Sequence, residues 1–354
     1  MDDDLTITWS HGQAAVNPLA GMLRTARFRS NGRWVSPFAV APWQPGDPTV
    51  SGQPGHVAAL GAEFVCVPFG SAEVPADAPG AWQEAAAPAD VPPHGQTAEQ
   101  RWAVASRTDS SVRLVLDLPE PSPIARVERE IEGVDGEPRL RFRLAVHVRR
   151  AHSTSIGVHP IFRLPAAGES LRADVAFGEG LAYPGTISGG SGLIEPNAVF
   201  STLDEVGIVD LLRLPAQGPS EEVVQLLAAR SPVRLHWSNG DEAELGWDDT
   251  VLSSILLWHS DRFLRAEPWN SRYRGLGVEP IASAFDFSTA TSTAANPIVE
   301  RGHATSVHLE PGHPFLLSYH VAAKHVMNRH QGLKAGDASA MSENSRMIYS
   351  DTAL

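Results

Sequence analysis

Cysteine is almost missing from this chain: Cys66 is its only one, so no internal disulfide can form and a reducing compartment is implied. No apolar run approaches the roughly 18 residues that a membrane-crossing helix needs. The opening MDDDLTITWS lacks the basic-then-apolar layout of a signal peptide. The expectation is a soluble, cytoplasmic protein with no membrane partner. Positive charge is also short. Lys plus Arg number 28 against 41 Asp plus Glu, a formal charge of −13, with no basic block or stripe. That composition argues against nucleic acid and anionic lipid as partners. There is no internal repeat, no glycine-rich phosphate loop, and no tight histidine spacing such as H-E-x-x-H that marks a metal site.

What is present is turn-forming and aromatic. In 354 residues there are 30 glycines, 28 prolines and nine tryptophans, with few long helical patterns, which favours strands joined by turns. Asn31-Gly32 sits between two short extended runs and predicts a two-residue hairpin turn. Residues 101–105, 112–118, 124–131 and 140–148 read as four strands of an antiparallel meander. In the last of these, Leu140, Phe142, Leu144, Val146 and Val148 share one face, while Arg139, Arg141, Arg143 and His147 take the other. Residues 71–93 read as a long exposed loop. Residues 220–230, SEEVVQLLAAR, read either as the one helix, capped by Ser220, or as a strand. Residues 233–237 and 252–258 are strands, with Asn239-Gly240 a turn after the first. Two more strands flank Pro311-Gly312. A single β domain over 1–325 is expected, followed by a polar tail at 326–354.

Three positions carry chemistry. His159 follows a small polar run and precedes Pro160, whose ring removes an amide hydrogen and fixes the backbone, so its imidazole stands at a strand end or bend. His94 lies in Pro92-Pro93-His94-Gly95, where the glycine allows close approach of backbone or ligand. Glu279 lies within the apolar stretch LGVEP (276–280), where a carboxylate is costly unless it has a partner or a task. A further cluster, Arg262, Arg265, Arg272 and Arg274 around Trp269, could hold an anionic or polyhydroxyl ligand, or could pair with nearby acids at a solvated rim.

The stretches PPHGQTAEQRW (92–102), GVHPIFRLP (157–165), LGVEP (276–280) and LEPGHPFLLSYHV (309–321) occur in this order over most of 20–322. Together they resemble the aldose 1-epimerase (galactose mutarotase-like) superfamily, closest to bacterial members related to hexose-6-phosphate mutarotase. The resemblance implies an all-β supersandwich of large antiparallel sheets and an isomerase that interconverts the α and β anomers of a free or phosphorylated aldose. It puts the ring-oxygen acid on His159, the base on Glu279 and a helper histidine on His94. Trp258, Trp269 and Arg272 are the candidate sugar contacts. No metal or cofactor is called for, and the oligomeric state is left open.

Reference pKa values agree with these roles: a glutamate near about 4.3 is ionised at neutral pH, and a histidine near about 6.5 can still give a proton. The family's sugar-binding arginine has no match in 61–70, and its aspartate falls on none of Asp248, Asp249 or Asp261 convincingly. The alternative function is therefore a non-catalytic carbohydrate-binding or sensing protein on the same fold. A β-sandwich glycosidase fits less well, because two facing carboxylates are needed.

Overall fold

The computed structural model describes residues 4–89, 91–187, 193–213 and 219–326. The polar stretch expected as a tail lies, from 327 onward, outside the described residues. The meander forms as its alternation predicts: Ala103–Arg107, Ser111–Asp117, Ile124–Gly133 and Arg139–Val148 pair antiparallel in chain order. Phe315–His325 then adds to Arg139–Val148, and Asp241–Trp247, Arg230–Trp237 and Leu171–Ala176 complete an eight-stranded sheet. Leu140, Phe142, Leu144, Val146 and Val148 all turn inward from it. Asn239-Gly240 makes the turn between two of its strands, and Asn31-Gly32, both at positive φ, closes a hairpin in a separate four-stranded N-terminal sheet. The strands flanking Pro311-Gly312 join different partners: Val307–Leu309 pairs with His152–Thr154, and Phe315–His325 with Arg139–Val148. Among the described residues the 71–93 connection holds one short helix, Gly80–Ala85, and it is not the wholly exposed loop expected, since Val74, Ala78, Trp82 and Ala85 pack into the interior.

A second eight-stranded sheet runs in the order Val199–Phe200, Glu179–Ala182, Ser220–Leu227, Ser254–Asp261, Arg274–Ala282, Ile156–Val158, Val65–Cys66, and Ile161–Phe162 also pairs with Arg274–Ala282. Ser220–Leu227 is thus a strand, which settles the choice left open by its sequence. Period two prevails because both faces are covered. Glu221, Val223 and Gln225 point one way and Glu222, Val224 and Leu226 the other, with Glu221 and Glu222 buried rather than solvated in a first helical turn.

The two large sheets form the layers of a sandwich. Ile156, Val158, Ile255, Leu257, Leu276 and Val278, from the back of the second sheet, share one core with Phe142, Leu144, Leu317 and Tyr319 of the first. The front of the second sheet carries a separate cluster that includes Phe64, Phe69, Leu256, Tyr273 and Ile281. One polar lock crosses the interior. Glu63 and Arg129, both fully buried, form an ion pair, Tyr319 donates to Glu63 Oε1 at 2.7 Å, and Arg129 donates to the Gly21 carbonyl at 2.6 Å. Removing one member of such a pair strands the other charge. Arg129→Ala should therefore cost about 3–5 kcal/mol in urea denaturation, and a loss below about 1 kcal/mol would show that the pair does not hold the sheets.

Candidate active site

The strand Arg274–Ala282 is the pivot of the site, and strand pairing brings His159 to it. Gly157 faces Ile281 and Ile161 faces Gly277, so residue 159 lies opposite residue 279 in the gap between two short strands. Directly opposed residues project to the same face. His159 Nε2 and Glu279 Oε1 accordingly lie 3.3 Å apart, although neither carboxylate oxygen has a hydrogen-bond partner within the described residues. The local sequence explains the geometry. Gly277, two residues from Glu279 on the same face, leaves the space that the carboxylate fills, and a Cβ there would overlap Oε1. Pro280 has no amide to give, and it sits where its neighbouring strand is interrupted. The His159 amide donates to the Phe64 carbonyl at 2.9 Å, and Val278 donates to the Pro160 carbonyl at 3.0 Å.

His94 arrives from the long connection. It adopts a left-handed backbone, φ 59°, just before the helix Gly95–Glu99. Gly95, φ 77°, fits because a Cβ would come within 2.6 Å of the Val67 and Pro68 backbone. Thr97 pins this helix to the sheet: its hydroxyl donates to the Val65 carbonyl at 3.0 Å and accepts from the Val67 amide at 2.9 Å. The His94 ring stands edge-on to both His159 and His56, each at 5.2 Å between centroids, while Phe64 stacks on His159 at 4.5 Å. The Nδ1 atoms of all three imidazoles are buried without partners among the described residues.

Register continues the same face outward. Leu256 lies opposite Glu279 and Trp258 opposite Gly277, and Trp258 in turn faces Val223. Trp258 stands edge-on to His159 at 5.9 Å, stacks on Tyr273, and donates from Nε1 to Glu221 Oε1 at 2.6 Å. Together these side chains enclose a cavity of about 230 Å³, slightly below the range of about 300–1,000 Å³ typical for drug-sized ligands. Of the residues singled out from sequence, His94, His159, Trp258, Trp269 and Glu279 all line it.

Arg272 does not. It is exposed, and its guanidinium contacts the Pro268 carbonyl at 3.5 Å. Arg262 and Arg274 both pair with Asp261, so half of the arginine cluster is spent on a local acid at the rim. Asp248 and Asp249 bind turn groups near Thr250 and Ser231. Sequence reasoning missed His56, Tyr183, Glu221 and Asp286, which also line the cavity. Only Glu221 left a usable trace, a carboxylate inside an apolar alternating run.

No protein-family profile and no curated protein sequence matches the chain. Solved structures do. The GalM/aldose epimerase homologue of Caenorhabditis elegans superposes with a TM-score of 0.60 at 14% identity, over 92% of this chain and 99% of its own. A galactose mutarotase-like protein of Clostridium acetobutylicum gives 0.60 at 11%, over 91% and 95%. Another from Lactobacillus casei gives 0.55 at 14%, over 90% and 99%. The chain has the galactose mutarotase-like fold.

Within this mutarotase-like fold, burial sets the protonation of the site. It pushes Glu279 well above the ordinary carboxyl range, and neighbouring Asp286 adds to the rise. It lowers His159 to about 3, with His56 contributing, and His56 itself to about 4. His94 is held well below the usual imidazole value by burial and by the other two histidines. Burial also raises Asp286, and it lifts Glu221 to about 7. These directions run opposite to the reference values of the free side chains. Burial of the pair favours the form that carries no charge, with the carboxyl protonated and the imidazole neutral. The ring resonances of His56 and His159 should therefore stay constant in an NMR titration from pH 8 to pH 5. Movement with a midpoint near 6.5 would show that water reaches them freely.

Proposed function

We propose that this cavity interconverts the α and β anomers of an aldose by acid–base ring opening, as an aldose 1-epimerase-like isomerase. The observation that carries the reading is the side-by-side placement of His159 Nε2 and Glu279 Oε1, 3.3 Å apart, on the wall of a sugar-sized cavity. In a cyclic aldose the ring oxygen and the anomeric hydroxyl are bonded to the same carbon. An acid and a base serving them must themselves be neighbours.

One proton shared by the pair is enough. The Glu279 carboxyl gives its proton to the ring oxygen as the bond from that oxygen to C1 breaks. His159 takes the proton of the anomeric hydroxyl as the C1 carbonyl forms. Rotation about C1–C2 presents the other carbonyl face, and closure returns both protons. Burial favours the neutral starting pair, so no charge need be created in the dry cavity before the reaction begins. His94, with its ring edge toward His159, is placed to hydrogen-bond a sugar oxygen. Trp258 and Trp269 offer apolar faces to the carbon side of the ring. Arg272, exposed outside the cavity, has no part in this reading.

Purified protein should speed the polarimetric equilibration of a freshly dissolved α-aldose. His159→Ala and Glu279→Gln should each slow it by about 10²- to 10⁴-fold, with folding checked by circular dichroism. Wild-type protein no faster than buffer across a panel of aldoses would sink the catalytic reading. Saturable sugar binding without anomer exchange would mark a binding protein instead.

A further inference from the structure

The cavity holds more acid than the proposed reaction uses. Besides Glu279, the carboxyls of Glu221 and Asp286 line it, and no lysine or arginine does so among the described residues. The three imidazoles beside them are lowered by burial and offer no ready cation to pair with. Glu279, 1% exposed, has both oxygens without partners, and Oδ1 of Asp286 is likewise buried and unmatched. An unmatched acceptor in a solvent-shielded cavity is costly unless a ligand supplies the donor. Burial raises all three acids, Glu221 to about 7, and Asp286 adds to the rise of Glu279, so the cavity favours uncharged carboxyls until a cation enters and draws them into the ionised form.

The carboxyls sit beside aromatic faces. Trp258 stacks with Tyr273 at 5.9 Å, and Trp269 meets Tyr273 edge-on at 5.0 Å. Both indoles line the cavity, and the Trp258 indole is anchored by its hydrogen bond to Glu221. Carboxylates next to π faces are the chemistry that recognises an organic ammonium, by charge pairing and by cation–π attraction. A phosphate would meet the opposite: no guanidinium or ammonium among the described lining residues to receive it.

Resting on the reading of this cavity as an aldose site, we propose that it prefers an aldose bearing an ammonium group to the neutral parent sugar and rejects sugar phosphates. Glu221 and Asp286 receive the ammonium beside Trp258 and Trp269, while Glu279 and His159 remain with the ring and anomeric oxygens. The preference follows from the position of the two surplus acids, which the ring-opening step leaves unused.

The test is calorimetric titration of the full chain at neutral pH with glucosamine, glucose and a glucose phosphate, and with the matching galactose series. In at least one series the amino sugar should bind about five- to tenfold tighter than its parent, and the phosphate at least about tenfold weaker. Glu221→Gln keeps an acceptor for the Trp258 indole but removes the charge, so the amino-to-neutral affinity ratio should fall toward one. Asp286→Asn serves the same purpose should the first variant fail to fold. Equal affinity for amino and neutral sugars, or a phosphate that binds as well as its parent, overturns the inference. If anomer exchange on neutral sugars persists in that case, the proposed function stands without it. If no sugar binds or is turned over, both fall together.

Discussion

Everything at this site depends on one constraint: a carboxyl and an imidazole are held side by side where water cannot pay for their charges. Glu279 stands in the middle of a sheet, on a strand buried almost from end to end, and no cation lies against it among the described residues. Desolvation of an ion costs several kcal/mol even after local relaxation. Burial accordingly raises the Glu279 carboxyl and lowers the imidazoles, which favours their uncharged forms.

The molecule contains its own control for this argument. Glu63 is as deeply buried as Glu279, yet it is answered by a guanidinium and a phenol, both from strands of the first sheet. One buried glutamate is satisfied and structural. The other is unsatisfied and faces a cavity. The fold is evidently able to supply partners for an interior acid, so leaving both Glu279 oxygens, Asp286 Oδ1 and three imidazole nitrogens without them spends stability that Glu63 does not. Unmatched polar groups gathered around a single cavity are the mark of a place arranged for something that is not part of the chain.

Rigid and adaptable parts divide the work. His159, Glu279, Trp258 and Glu221 belong to the sheet or to the gap between two of its strands, where pairing fixes each direction. His94, His56, Asp286 and Trp269 come from connections, each pinned by local bonds: the Thr97 hydroxyl for the His94 turn, and Gln225, which accepts from the Phe285 amide at 2.6 Å, for the segment carrying Asp286. The closely placed His159 and Glu279 thus sit on or beside the strands, and the groups that surround them sit on connections.

The amino-acid sequence by itself determined the meander, the hairpin turn at Asn31-Gly32 and the isolation of Glu279 in an apolar run, because alternation, positive-φ turns and buried charge are local properties. It also singled out His159 and His94 through the proline and glycine beside them. It left residues 220–230 undecided, since two glutamates before a β-branched pair suit a helix start as well as a strand. Only the register across the sheet fixed that Glu221 faces inward. Tertiary structure alone brought His56, Tyr183 and Asp286 into the cavity and left Arg272 outside, because membership depends on which loops close over which face. It alone shows that burial drives the Glu279 carboxyl up and the His159 imidazole down. A pKa is set by the surrounding medium, and a sequence does not specify how dry its neighbours will be.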